Sequence, residues 1–191
     1  MSVNLKNKII AKTLDKLIAG KSKVERFYNE DKSCQIDVIT ITDNATNSIT
    51  MSTVNLSDID LDFKKANEYK VGVEFIMVSD IKYDNSLDVL IDSSFIAIKN
   101  KNSCQPGNIY SNVIQKYYLD SDMKHILLTY PFLWNDFNKI TYENKSINWL
   151  QLVPISDNEL KFLQEHNLDK LEELFEKEKV DVFNFNRKSI L

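Results

Sequence analysis

Ile147-Asn-Trp-Leu-Gln-Leu-Val-Pro-Ile-Ser-Asp-Asn-Glu159 is the stretch on which the reading of the fold turns. Its first part, Ile147–Val153, is rich in β-formers and predicts a strand. Pro154 marks its expected end, because proline has no N–H to donate to a ladder. Ser156-Asp-Asn-Glu159 is a capping box: the Ser156 hydroxyl accepts from the Glu159 N–H, and the Glu159 carboxylate reaches back to the Ser156 N–H. A helix is predicted to start there, so strand and helix follow each other directly.

Downstream, Asn167 sits where that helix must stop, and Asn tolerates the left-handed conformation of many helix ends. Leu168, Leu171, Leu174 and Phe175 then form the apolar face of a second short helix. Upstream, His125–Tyr130 predicts another strand, closed by Pro131 and followed by the aromatic, turn-like segment Phe132–Phe137. Val71–Val78 is nearly apolar throughout, the pattern of a central strand covered on both faces. Leu87, Leu90, Ile91, Phe95 and Ile98 have helical spacing, with Asp84, Asp88 and Asp92 on another side, and Pro106-Gly107 marks a turn.

Near the start, Val3–Ala19 reads as an amphipathic helix stopped by Gly20, with Lys8, Lys12 and Lys16 on its outer face. Lys23–Tyr28, Cys34–Thr42 and Ser48–Leu56 are strands separated by polar turns and expected to pair antiparallel. No linker, repeat or composition break divides the chain. The expectation is a single α+β domain over residues 1–191, with a mixed, mostly antiparallel sheet flanked by helices.

The 191 residues carry 28 acids against 24 bases, a formal charge of −4, and 43% hydrophobic residues. That balance excludes a disordered chain. No apolar run approaches the ~18 residues of a membrane span, and Met1–Gly20 shows no readable export signal. Cys34 and Cys104 stand alone, which suits neither a metal site nor a disulfide framework. A cytoplasmic protein without membrane contact is expected.

Gly20, Gly72 and Gly107 are too far apart for a phosphate-cradling loop. The two histidines, His125 and His166, have nothing beside them that completes a catalytic site. The reading is therefore of a non-enzyme, without catalytic residues, cofactor or metal. Asp58-Ile-Asp60-Leu-Asp62 lines three acids on one side if it is a strand, and forms a solvated acidic tip if it is a loop. From Asp157 to Asp181 nine acids face four lysines. Such a surface repels nucleic acid and attracts a cationic protein; it is equally the ordinary exterior of two amphipathic helices. Lys6 to Arg26 is locally positive, which suits a solvated helix face or an anionic partner.

His125-Ile-Leu-Leu-Thr-Tyr-Pro-Phe-Leu-Trp134, Ile147–Ser156 with Glu159, and the closing Arg187-Lys-Ser-Ile190 together resemble the suppressor-of-fused domain family. Val24–Tyr28, Ile49–Asp58 and Gln105–Asn108 extend the resemblance over almost the whole chain. Asn55 and Asn167 depart from it, standing where glycine is expected. The family's animal member is a larger signalling protein that holds a transcription factor. This chain is similar to the compact bacterial branch, in which antitoxin or immunity proteins pair with toxins of the LXG type, several of them nucleases.

The resemblance implies an α+β fold and a protein-binding task, and it brings no catalytic residues. The expected function is an antitoxin or immunity protein that neutralises a cognate toxin by stoichiometric binding, its acids steering a basic toxin and its aromatics anchoring it. Candidate contact residues are Asp58, Asp60 and Asp62, the acids Glu172, Glu173 and Glu176, and Phe132 with Trp134. Phe132 and Trp149 fit a core role as well as an anchoring one. An intracellular scaffold holding a client other than a toxin is the alternative, and a hydrolase using paired carboxylates a third.

Overall fold

The computed structural model describes residues 4–63, 69–101, 104–134 and 137–191. The elements are α1 (Leu5–Leu17), β1 (Lys21–Tyr28), β2 (Gln35–Asp43), β3 (Ser48–Thr53), β4 (Lys70–Asp80), α2 (Ser86–Lys99), β5 (Ile109–Tyr110), β6 (Met123–Thr129), β7 (Ile140–Tyr142), β8 (Lys145–Ser156), α3 (Asp157–Glu165) and α4 (Leu168–Lys177). Short 3-10 turns lie at Leu56–Asp58 and Ile114–Lys116. Val3, in the predicted first helix, and Asn135 and Asp136, in the predicted aromatic turn, lie outside the described residues.

Strand alternation explains the layering. Along β8, Leu150 and Leu152 point to one face of the sheet, where they meet Phe75, Met77 and the α2 residues Val89, Leu90 and Ala97. Trp149 points to the other face, packing with Ile39, Ile41, Ile76 and the α1 residues Ile10 and Leu14. Val153 and Ile155 follow on that same face and carry Leu127 together with Leu171 and Phe175 of α4. The sheet thus lies between α2 and a second layer in which α1 and the α3–α4 pair stand side by side, each element burying its apolar stripe.

The strand order is β1-β2-β3-β4-β8-β6-β5, with β7 pairing β8 off that path. Among the described residues only β4 and β8 run parallel. The expected architecture, a mixed and mostly antiparallel sheet with helices around it, is what forms. β4 is central and buried from Gly72 to Val78, as its unbroken apolar run predicts.

Three local readings are corrected. Pro154 does not end its strand: β8 continues to Ser156. Pairing with β4 stops at Gln151, and from there β8 has β6 as its only ladder neighbour, so a residue without an N–H leaves no ladder donor missing on the open side. Asn167 is not a left-handed stop. It has extended φ and ψ of −169° and 177°, and its side chain accepts from the Lys170 N–H at 2.9 Å as the N-cap of α4, a role Asn fills well. The strand read over Ser48–Leu56 ends at Thr53. Asn55 beyond it has negative φ, and its side chain accepts from the Asp37 N–H at 2.8 Å and donates to the Gln35 carbonyl at 3.3 Å, bonds glycine could not make.

Two buried carboxyl groups hold the corners of this frame. Glu159 is fully buried and completes the capping box, accepting from the Ser156 N–H at 3.0 Å. It also pairs bidentately with Arg187, at 2.5 and 2.7 Å, and the same guanidinium donates to the Pro154 carbonyl at 2.9 Å. At the other end, Glu74 accepts from the Thr53 hydroxyl at 2.5 Å and from the Leu56 and Ser57 N–H groups at 3.0 Å. Buried Lys6 of α1 joins this turn through Ser57 at 2.9 Å and through Asp58. Gly72 permits the approach, since a Cβ there would sit 2.9 Å from that of Ser57.

Removing one member of a buried ion pair leaves the other charge without a partner. Arg187→Met is expected to cost about 3–5 kcal/mol in urea unfolding, and Glu159→Gln in the same background to recover part of it; additive losses would contradict direct coupling. Glu74 gives a pH signature. Burial raises its carboxyl above the ordinary 4.5, outweighing the opposing effects of Thr53, Ser57 and Lys6. The folded state then keeps a proton that the unfolded chain has released, so this contribution is full below about 4.5 and is lost as pH rises. Wild type is expected to lose stability relative to Glu74→Gln from pH 4.5 upward; a wild type that gains on the variant would contradict the assignment.

Candidate protein-binding groove

The last helix is amphipathic in an uneven way. Leu171 and Phe175 turn inward onto Leu127 and Val153. Asp169, Glu172, Glu173 and Glu176 recur at i, i+3, i+4 and i+7, which places four carboxylates along one stripe. Opposite this stripe, the chain leaving β6 presents Tyr130 and Phe132, which are 68% and 53% exposed. Between them lies a cleft of about 680 Å³. Phe175, Val180 and Val182 give it an apolar lining, the four acids of α4 supply its charge, and Lys179 is the one cation among its described lining residues.

Each wall is positioned by a specific contact. The Phe132 N–H donates to Oε1 of buried Gln151 at 3.3 Å, so the segment after β6 is held from the neighbouring strand. Thr129, the last residue of β6, donates its hydroxyl to Glu172 and fixes α4 against the strand end. Lys170 pairs with Glu173 at 2.6 Å on the helix surface. Arg187 lies 5.4 Å from the Phe175 ring, so the tail that carries the buried ion pair also backs the groove.

Of the residues singled out from sequence, Phe132, Glu172, Glu173 and Glu176 therefore come together on one surface. Trp134 is elsewhere. It is half-buried and stacks on Phe137 at 5.1 Å, which meets Trp149 edge-on at 4.9 Å, on the α1 side of the second layer. Trp149 itself is core, 4% exposed, with its indole N–H donating to Ser52 at 3.2 Å. Asp58 closes the 3-10 turn, Asp60 and Asp62 follow it, and the three do not form a strand. Asp58 is tied to Lys6, Asp60 accepts from the Asp62 N–H at 3.1 Å, and Asp62 lies 3.7 Å from Lys101. Asp169 belongs to the acidic region read from sequence but, like Tyr130, was not among the candidate contact residues, and the β6–α4 meeting was not foreseen; the four-acid spacing on one helix was the readable signal.

His125 is 4% exposed; its Nδ1 accepts from the Asn112 N–H at 3.0 Å, which leaves Nε2 to donate to Asp157 at 2.9 Å. Lys124 first, then His125, hold the Asp157 carboxyl below the usual carboxylate range. Both ring nitrogens are thus committed to bonds within the fold. Among the described residues no group of three or more His, Cys, Asp or Glu side chains is placed to hold a metal ion, and no helix is long and apolar enough to cross a membrane.

Comparison with known proteins adds ancestry to this geometry. Over 193 aligned residues the chain is 34% identical to "Immunity protein YqcF" of Bacillus subtilis (strain 168), with both proteins covered in full. A suppressor of fused homologue from Neisseria gonorrhoeae has a solved structure that matches 97% of each chain with a TM-score of 0.74 at 17% identity. A chain of a Sufu–Fu complex matches with a TM-score of 0.65 at 12% identity, over 96% of this chain and 91% of that one. Residues 32–188 match the model of the suppressor of fused protein family. That span contains every strand from β2 to β8, the capping box and its Arg187 partner, and on it the chain belongs to the suppressor of fused family.

Proposed function

We propose that this protein is a cytoplasmic immunity protein that neutralises a cognate toxin by forming a stoichiometric complex with it, through the groove between α4 and the end of β6. The observation that carries the reading is the full-length similarity to an immunity protein. The groove supports it physically. Four acids on one helix stripe create a negative field that speeds the approach of a basic surface, as the nucleic-acid face of a nuclease toxin would be. Tyr130 and Phe132 stand exposed beside that field, amphipathic or apolar rings of the kind that anchor interfaces. The toxin class is taken from the LXG-type pairing that the sequence resemblance implies, and inhibition needs no chemical step by this chain.

Co-expression with the C-terminal domain of the neighbouring toxin-like gene is expected to restore growth and to yield a complex that co-purifies. Soluble partners with no rescue and no complex would overturn the reading and favour a scaffold for a different client. Within a recovered complex, Glu173→Lys with Glu176→Lys is expected to slow association by about 10-fold at low salt and to flatten its salt dependence. The same pair of changes at Asp60 and Asp62 tests the other acidic segment; a larger effect there would move the interface. Phe132→Ala is expected to speed dissociation by about 10-fold or more while leaving unfolding stability within about 0.5 kcal/mol, because the ring is exposed. An unchanged dissociation rate would remove Phe132 from the contact.

A further inference from the structure

We infer that the free edge of β1 pairs with the same edge of a second copy, joining two sheets into one across a two-fold axis at Val24. Among the described residues β1 ends the strand order and is hydrogen-bonded to β2 alone. Its eight residues are all exposed apart from half-buried Phe27, and pair with β2 from Lys21↔Thr42 to Tyr28↔Gln35 without a bulge. No proline interrupts it. It is a long regular strand with no second neighbour among the described residues, and Val24 and Tyr28 are 53% and 52% exposed beside it. Such an edge is a template for another strand.

Charge selects the occupant. A foreign strand meets Lys21, Lys23 and Arg26 against the single acid Glu25, the lysine-rich pattern that discourages edge pairing. A second copy meets something different. A two-fold axis normal to the sheet keeps each face on its own side, so every residue opposes one of the same parity. Two symmetric antiparallel registers pair seven residues, one centred on Val24 and one on Glu25. The Glu25 register sets two carboxylates directly against each other. In the Val24 register Val24 meets Val24, Ser22 meets Arg26, Lys21 lies over Phe27, and Lys23 meets Glu25 twice. Lys23 and Glu25 already share one face, with their charged atoms 2.7 Å apart, and both are largely exposed, so exchanging partners across the axis needs no change of backbone.

The consequence is geometric. β1 is the edge at one end of the sheet and β6 is next to the strand at the other, so pairing leaves the α4 groove of each copy open toward the two outer ends. The dimer would present two grooves and take up two partner chains.

Sedimentation equilibrium of the full chain without any partner, from about 1 to 100 µM, tests this independently of what the groove binds. Wild type is expected to dimerise in that range. Glu25→Lys and Lys23→Glu each set two like charges against two, and each is expected to weaken self-association by about 10-fold or more. Mixed together, the two variants are expected to form a heterodimer, since one strand then carries two cations and the other two carboxylates; the double variant Lys23→Glu/Glu25→Lys is expected to dimerise like wild type. A wild type that stays monomeric at the highest concentration would overturn the inference. So would a dimer indifferent to Glu25→Lys, or single variants that fail to pair on mixing although circular dichroism shows both folded.

Discussion

The buried pair between Glu159 and Arg187 ties together the end of the molecule built from β8, α3, α4 and the C-terminal tail. Removing two charges from water costs several kcal/mol per ion, and the cost is met only when geometry and remaining hydrogen bonds are nearly complete. Here the carboxylate takes two guanidinium bonds and the Ser156 N–H, while the guanidinium also reaches the Pro154 carbonyl. Well-packed apolar residues often stabilise as much as a buried pair, so what this pair does is read from the parts of the fold it joins. The arrangement is specific: α3 starts at Ser156, the tail returns across β8, and Arg187 lies against Phe175 of α4.

The groove follows from that arrangement. α4 is held from below by Leu171 and Phe175, from the strand end by Thr129, and from the tail by Arg187. Its outer stripe then carries four acids at spacings where like charges repel, each neighbouring pair costing a few tenths of a kcal/mol in an isolated helix. Lys170 offsets part of this at Glu173. A stripe that costs its own helix something, beside two exposed aromatic rings, is suited to a cationic partner. At the far corner, Glu74 and Lys6 do comparable structural work for α1, and Asp58 is drawn into it, which leaves that acid less free to serve a partner than its sequence setting implied.

What was legible in the sequence was local. The capping box could be read because its two residues are three apart, and the central strand because Val71–Val78 is apolar on both parities. The second partner of Glu159 could not, since Arg187 is 28 residues away and nothing in either residue's neighbours announces the meeting. β5 and β7 are two and three residues long, too short to show a period. Pro154 misled because the proline rule concerns a strand with ladder neighbours on both sides, and β8 has lost one by that point. Phe132 and the acids of α4 were each singled out, but their convergence depends on β6, β8 and α4 packing together. Trp134 shared the aromatic composition of Phe132 and packs instead toward Trp149.

Amide hydrogen exchange of the chain alone and in complex with its toxin domain decides whether α4 and Phe132 form the binding face. Complex formation is expected to slow exchange along residues 168–180 and at Phe132, with residues 56–63 unchanged. Protection confined to residues 56–63 or to α1, with α4 exchanging as in the free protein, would contradict the groove as the binding face.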